Sequence, residues 1–226
     1  MESDPIIFQA VILDLDGTLV ESAGEIAAAL NQVLLELGLP ALALSRVEAL
    51  IGRGVRVLVE RALGDSGSDA DRDRAVERFE AEYEKVVGRH AGLFAGVMAG
   101  LEALHERGIP LAVVTNKPRF FTRKLLERLR IDHFFAAVVA GDDGIRKKPH
   151  ADMLLAACEK MGTVPAQTLM LGDSDNDVAA ARAAGCPVWC VPYGYNEGKS
   201  AESLDCDRIV PSLEAAAKHI RAGLQR

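Results

Sequence analysis

The apolar run at residues 10–13 (Ala-Val-Ile-Leu) stops abruptly at Asp14, and runs of the same kind recur along the chain. Leu111 to Val114 ends at Thr115, and Leu169 to Leu171 ends at Gly172-Asp173. Ala136 to Ala140 and Val188 to Val191 are similar, and Arg208 to Val210 offers a last, weaker one. Short continuous apolar runs without polar alternation predict strands of a parallel sheet buried on both faces. Between them the period becomes helical. Val97, Leu101 and Leu104 share a face closed by Gly108 and Pro110, and Pro118 stands at a first turn before Phe121, Leu125 and Leu129. Leu154, Ala157, Cys158 and Met161 form a stripe stopped by Gly162, and Val178, Ala181 and Arg182 lead to a stop at Gly185.

From residue 93 onward helix and strand alternate, which predicts an α/β fold with a parallel sheet between two helical layers. Residues 21–90 break the alternation. Ile26, Leu30, Val33, Leu34 and Leu37 make one amphipathic helix, and Ser45 to Glu48 has the form of a capping box. Leu58, Val59, Ala62 and Leu63 follow, then a polar turn at Gly64–Gly67, then Val76, Phe79, Tyr83, Val86 and Val87. Helices without a strand, placed after the first strand, predict an inserted unit. The expected organisation is a Rossmann-like core of residues 1–20 and 91–226 with an α-helical cap over 21–90.

Of 226 residues, 49% are hydrophobic and 26% charged, enough for an ordinary buried core. The net charge of −7 disfavours nucleic acid and anionic membranes as partners. The N-terminus, MESDPIIFQA, lacks a basic region followed by a long apolar stretch, so no signal peptide is expected, and no run is long enough to span a bilayer. Cys158, Cys186, Cys190 and Cys206 form no C-x-x-C pair and read as reduced, mostly buried thiols. A cytoplasmic protein, monomer or homodimer, is expected.

In open parallel sheets, ligands bind beyond the carboxyl ends of the strands. There the sequence sets Asp14-Leu15-Asp16-Gly17-Thr18, Thr115-Asn116-Lys117-Pro118, Arg146-Lys147-Lys148-Pro149 and Gly172-Asp173-Ser174-Asp175-Asn176-Asp177. Acids crowded from two strands repel each other unless a cation lies between them. Mg²⁺ suits carboxylate oxygens and retains waters that a phosphate oxygen can replace. A lysine adds positive charge for the phosphate. Phosphate monoester hydrolysis demands up to about 10²¹-fold acceleration, roughly 29 kcal/mol, whereas one general acid supplies about two to four decades. A nucleophile, a metal, a cation and a proton carrier are needed together, and this set contains candidates for each.

Taken in order, Asp14-Leu-Asp-Gly-Thr-Leu, Val114-Thr115-Asn116, Lys148-Pro149 and Gly172-Asp-Ser-Asp-Asn-Asp177 resemble the four motifs of the haloacid dehalogenase-like hydrolase superfamily. The resemblance covers essentially the whole chain, helical insertion included. It implies that Asp14 is the nucleophile and becomes an aspartyl phosphate. Asp16 would protonate the leaving alcohol and then take a proton from water. The Asp14 carboxylate, the Asp16 carbonyl and Asp173 would hold Mg²⁺, and Asp177 would support the metal's waters or Lys148. Thr115, Asn116 and Lys148 would bind the phosphate, and Gly17 would allow the turn after the nucleophile. Members that attack carbon lack an acid at the position of Asp16, so its presence favours phosphoryl chemistry.

Ile51-Gly52-Arg53-Gly54 with Leu58-Val59-Glu60-Arg61-Ala62-Leu63, and Pro192-Tyr193-Gly194-Tyr195-Asn196, resemble segments of the bacterial phosphoglycolate phosphatase subgroup. That resemblance implies a small phosphomonoester as substrate, with Arg53 reading its carboxylate and Arg56 a weaker rival. Ala95 and Ala151 stand where that subgroup has prolines, and relatives act on sugar phosphates such as N-acetylmuramic acid 6-phosphate. Asp71, Asp73 and Glu77 read as a solvated helix face, Asp175 and His150 as loop residues, and Trp189 as core. Tyr195 is open between lining the entrance and packing. A receiver-type signalling domain shares the acidic cluster and lysine, but it lacks the inserted cap and the second acid and would stop after one phosphorylation.

Overall fold

The computed structural model describes residues 6–66 and 68–222. Residues 1–5, on which the reading of the N-terminus partly rests, and Gly67 of the expected polar turn lie outside them. Strands β1 (Ile6–Phe8), β2 (Ala10–Leu13) and β3 (Val20–Glu21) precede four helices, α1 (Ala23–Glu36), α2 (Leu44–Glu48), α3 (Val55–Leu63) and α4 (Asp69–Val86). Then come β4 (Gly92–Leu93), α5 (Val97–Glu106), β5 (Leu111–Val114), α6 (Arg119–Arg128), β6 (Ala137–Val139) and α7 (Asp152–Met161). The chain continues through β7 (Thr168–Gly172), α8 (Asp175–Ala184), β8 (Val188–Cys190), β9 (Arg208–Ile209), α9 (Leu213–His219) and β10 (Ile220–Ala222).

The main sheet has the order β6-β5-β2-β7-β8-β9, and every pairing within it is parallel. Its strands alternate between two cores, as the period of two requires. Val11, Leu13, Leu111, Val113, Leu169 and Leu171 face one core, where Leu101, Leu104 and Leu213 from α5 and α9 close it. Ile12, Ala112, Val114 and Met170 face the other, beneath Leu154, Ala157, Val178 and Ala181 of α7 and α8. Burial on both faces explains why these strands read as unbroken apolar runs. The expected parallel sheet between two helical layers is therefore observed, and Trp189 lies in the core.

The ends of the helical insertion meet. β3 and β4 pair antiparallel, Val20 opposite Leu93. Buried Glu25, in the first turn of α1, accepts backbone N–H bonds from Gly88 at 2.6 Å, His90 at 2.5 Å and Ala91 at 3.0 Å. A carboxylate holding three backbone donors joins the outgoing and returning chain firmly.

Two local expectations are corrected. Ser45 does not cap its helix: α2 begins at Leu44 with Ala43 as N-cap, so Ser45 lies inside. The Asn31 side-chain amide grips Leu42 in both directions, at 2.8 and 3.0 Å, which fixes the chain just before α2. Asp175 is not in a loop but opens α8, where it pairs with Lys199 at 2.6 Å.

Candidate active site

The sheet order reverses about β2: the chain builds outward through β5 to β6, then returns to the other side of β2 with β7. Crevices form at such a switch point, beyond the carboxyl ends of the strands. Leu13 is in register with Leu171, so Asp14 and Asp173 leave the sheet side by side, and the Asp14 N–H donates to the Leu171 carbonyl at 3.0 Å. Oxygens of Asp14, Asp173 and Asp177 lie within 4.8 Å of one another, and all three residues are buried. Lys148, also buried, places its Nζ 2.8 Å from Asp14 and 2.6 Å from Asp177, and donates to the Val114 carbonyl at 2.8 Å.

Asp177 occupies the third position of α8, where it completes a capping box with Ser174. Its Oδ2 accepts from the Ser174 hydroxyl at 2.7 Å and from the backbone N–H groups of Ser174 and Asp173. With Lys148 on Oδ1, both oxygens are engaged. Asp173 accepts one bond on each oxygen, from the Thr18 hydroxyl at 2.7 Å and the Tyr195 N–H at 2.8 Å.

One ammonium against three carboxylates leaves the pocket negative. Burial pushes the Asp14 carboxyl well above its ordinary range; Lys148 opposes this, while Asp177 and Asp173 add to it. Burial, reinforced by Asp177, lifts Asp173 to about 7. Burial alone would lower the Lys148 ammonium, but Asp14 and Asp177 outweigh it and hold its pKa above the ordinary lysine value. An all-oxygen donor set with surplus negative charge fits a hard divalent cation. Two glycines shape the cradle: a Cβ on Gly194 would lie 2.1 Å from the Asp173 Cβ, and one on Gly17 2.5 Å from its Oδ2.

Asp16 stands slightly apart from this cluster. Lys117 clasps its carboxylate at 2.9 Å to each oxygen, and the Ser22 hydroxyl donates to Oδ1 at 2.5 Å. Thr115, Asn116 and Lys117 line the same cleft as Asp14 and Asp16. The Asn116 amide donates to the carbonyls of Gly52 at 2.8 Å and Lys148 at 2.9 Å, and its oxygen accepts from the Lys148 N–H at 3.0 Å. It ties the lysine loop, the β5 loop and the helical layer together. Arg53 is not brought to the cleft lining; it pairs with Glu197 at 2.6 Å and is half exposed.

Lys117 has a place that sequence reasoning left without a role, its only signal being adjacency to Thr115 and Asn116. Tyr195 both packs and organises: its N–H holds Asp173, and its hydroxyl accepts from the N–H groups of Ser22 and Ala23 at 3.0 and 3.1 Å. Its contribution is a backbone donor and a distant hydroxyl, which no local spacing reveals. Ile26, Val55, Leu58 and Phe79 from the helices, with Ile51 from the turn after α2, roof the cleft as an apolar wall facing a polar floor.

Fold and site together define a hydrolytic enzyme of the doubly wound α/β class, with an oxygen-donor acidic centre at the switch point. The family model for haloacid dehalogenase-like hydrolases matches residues 11–191. A phosphoglycolate phosphatase of Nitrosospira multiformis is 46% identical over 221 residues, 96% of this chain and 97% of the relative. The phosphoglycolate phosphatase of Escherichia coli is 41% identical over 229 residues, covering 91% and 89%. The crystal structure of a predicted phosphoglycolate phosphatase from Haemophilus somnus superposes with a TM-score of 0.87 at 32% identity, covering 93% of this chain and 97% of that one. The chain belongs to the haloacid dehalogenase-like hydrolase family.

Proposed function

We propose that this chain is a Mg²⁺-dependent phosphomonoester hydrolase that works through a phosphorylated Asp14 and takes 2-phosphoglycolate as substrate. The observation that carries the reading is the buried carboxylate of Asp14, at the end of the central strand and 2.8 Å from the fully buried ammonium of Lys148. The helices over 21–90 then act as a cap on a core formed by residues 1–20 and 91–226.

In the first half-reaction an Asp14 oxygen attacks phosphorus, the ester P–O bond breaks, and Asp16 passes a proton to the departing oxygen. In the second, water attacks the same phosphorus and gives its proton back to Asp16. The bond to Asp14 then breaks, releasing phosphate and restoring both carboxyl groups. Lys148 neutralises charge on the transferring group, Thr115 offers its hydroxyl to a phosphate oxygen, and Asn116 fixes the Lys148 loop. The Asp14 and Asp173 carboxylates and the Asp16 carbonyl would hold Mg²⁺, which would supply the positive charge that lets one anion approach another. Asp177, its oxygens already engaged, holds Lys148 and the start of α8 in place.

The relatives named phosphoglycolate phosphatase, 41–46% identical over nearly the whole chain, support that substrate over a larger ester. Phosphate release measured across 2-phosphoglycolate, N-acetylmuramic acid 6-phosphate and other small esters tests the reading. The expected result is many turnovers, dependent on Mg²⁺, with 2-phosphoglycolate preferred. Release that stops near one equivalent would mark a receiver-type switch, and preference for the sugar phosphate would overturn the substrate.

A further inference from the structure

Only one polar side-chain group of the roof interrupts the apolar wall over the cleft among the described residues. It is the hydroxyl of Tyr83 on α4. Tyr83 is fully buried, and its hydroxyl proton has no acceptor among the described residues. A buried hydroxyl without a partner is unfavourable and calls for an explanation. The ring cannot easily swing away to find water. It stacks on Phe79, with centroids 5.6 Å apart, and leans on Phe121 at 5.0 Å.

The second observation comes from the floor. Lys117, buried like Tyr83, lies 4.7 Å from the centre of the Tyr83 ring. It directs its ammonium to the Asp16 carboxylate, at 2.9 Å to each oxygen. The ammonium's third N–H faces the Tyr83 side chain, so Lys117 offers an incoming anion its charge while the Tyr83 hydroxyl still has its own proton to donate. The Tyr83 hydroxyl and the Lys117 ammonium border the same cleft as Asp14.

We propose that Tyr83 and Lys117 together bind the substrate's carboxylate and thereby set the specificity of the enzyme. The assignment rests on the phosphatase reading above. In 2-phosphoglycolate a single carbon separates the ester oxygen from the carboxylate. The group that reads the carboxylate must therefore sit beside the group that protonates the ester oxygen. Lys117 meets that demand because it already touches Asp16, whereas Arg53 is turned to Glu197. The carboxylate supplies the acceptor that the Tyr83 hydroxyl lacks, and an anion is the acceptor that gains most from an ammonium in a water-poor cleft.

The test compares kcat/KM for 2-phosphoglycolate with that for 2-hydroxyethyl phosphate, which replaces the carboxylate by a neutral CH₂OH of similar size. Wild type is expected to favour 2-phosphoglycolate. Tyr83→Phe should lower the ratio about tenfold, chiefly through KM, as expected for one lost hydrogen bond to a charged group. Because the deleted hydroxyl donates to no acceptor among the described residues, the variant should melt close to wild type. Lys117→Met should lower the ratio further. A ratio for Tyr83→Phe within about twofold of wild type would overturn the assignment, as would a wild type without preference. Absence of phosphate release from either ester by wild type would instead remove the phosphatase reading, and this inference with it.

Discussion

Lys148 and Asp177 meet at 2.6 Å with both side chains sealed from solvent, and among the described residues the one other ion pair either makes is that of Lys148 with Asp14 at 2.8 Å. Removing one member of such a pair leaves an uncompensated buried charge, which costs about 3–5 kcal/mol. Asp177→Ala also takes away the acceptor for the N–H groups of Asp173 and Ser174, which lead into α8. Urea denaturation should therefore show a loss at or above that range, and phosphate release should fall with it. A loss below about 1 kcal/mol, the worth of an exposed pair, would show that Lys148 is solvated in solution.

Asp14 and Asp16, which follow β2, should separate by their response to the leaving group. Asp14→Asn should abolish turnover by at least about four decades with any ester, since no bond to phosphorus can form. Asp16→Asn should cost about two to four decades with an alkyl ester but far less with p-nitrophenyl phosphate, whose phenolate leaves without a proton. Steady-state phosphate release on both esters measures this. An equal loss on the two esters would remove Asp16 as proton donor, and near-normal turnover by Asp14→Asn would remove the nucleophile.

Metal and proton compete for the same oxygens, which makes stability depend on pH in a definite direction. Folded Asp173 keeps its proton up to about pH 7, whereas an unfolded aspartate releases it near 3.9. Between those values the folded chain binds more protons, so in the presence of a chelator stability falls as pH rises through that window. Thermal unfolding should show a steeper fall for wild type than for Asp173→Asn, and Mg²⁺ should raise the melting temperature more at pH 7.5 than at pH 5. Parallel pH curves for the two proteins would refute the assignment.

How far the sequence was legible follows from what each feature depends on. The inner strands of the main sheet announced themselves because burial on both faces leaves no charged residue until the chain emerges, whereas the edge strand β9 begins at Arg208. The site acids lie at that emergence, so Asp14, Thr115 and Asp173 were visible as the first polar residues after each run. Pairings between distant segments were not visible. Nothing near Arg53 indicates Glu197, 144 residues away, and the same carboxylate also receives Arg61 at 3.1 Å. The start of α2 depended on Asn31 holding Leu42, a contact made across a turn, so Ser45 resembled a cap that the fold had no need for. Lys117 follows β5 and Tyr83 lies on α4, and only the fold sets the ammonium 4.7 Å from the centre of the ring.

Gly194 separates the shape of the cradle from its charge. Its backbone is not in the left-handed region, so alanine there meets no conformational penalty of its own. The added Cβ would nonetheless lie 2.1 Å from the Asp173 Cβ and 2.4 Å from its Cγ, and the first of these is anchored next to the backbone and cannot rotate away. The loop from Val191 to Tyr195 must therefore retreat, taking with it the Tyr195 N–H that holds Asp173. Gly194→Ala should raise the Mg²⁺ concentration for half-maximal activity by about tenfold or more, in line with the cost of losing an outer partner of a metal ligand. The test is a Mg²⁺ titration of phosphate release alongside thermal unfolding. A raised Mg²⁺ requirement in a folded variant supports the cradle, whereas an unchanged titration would mean that Asp173 does not depend on the glycine for its position.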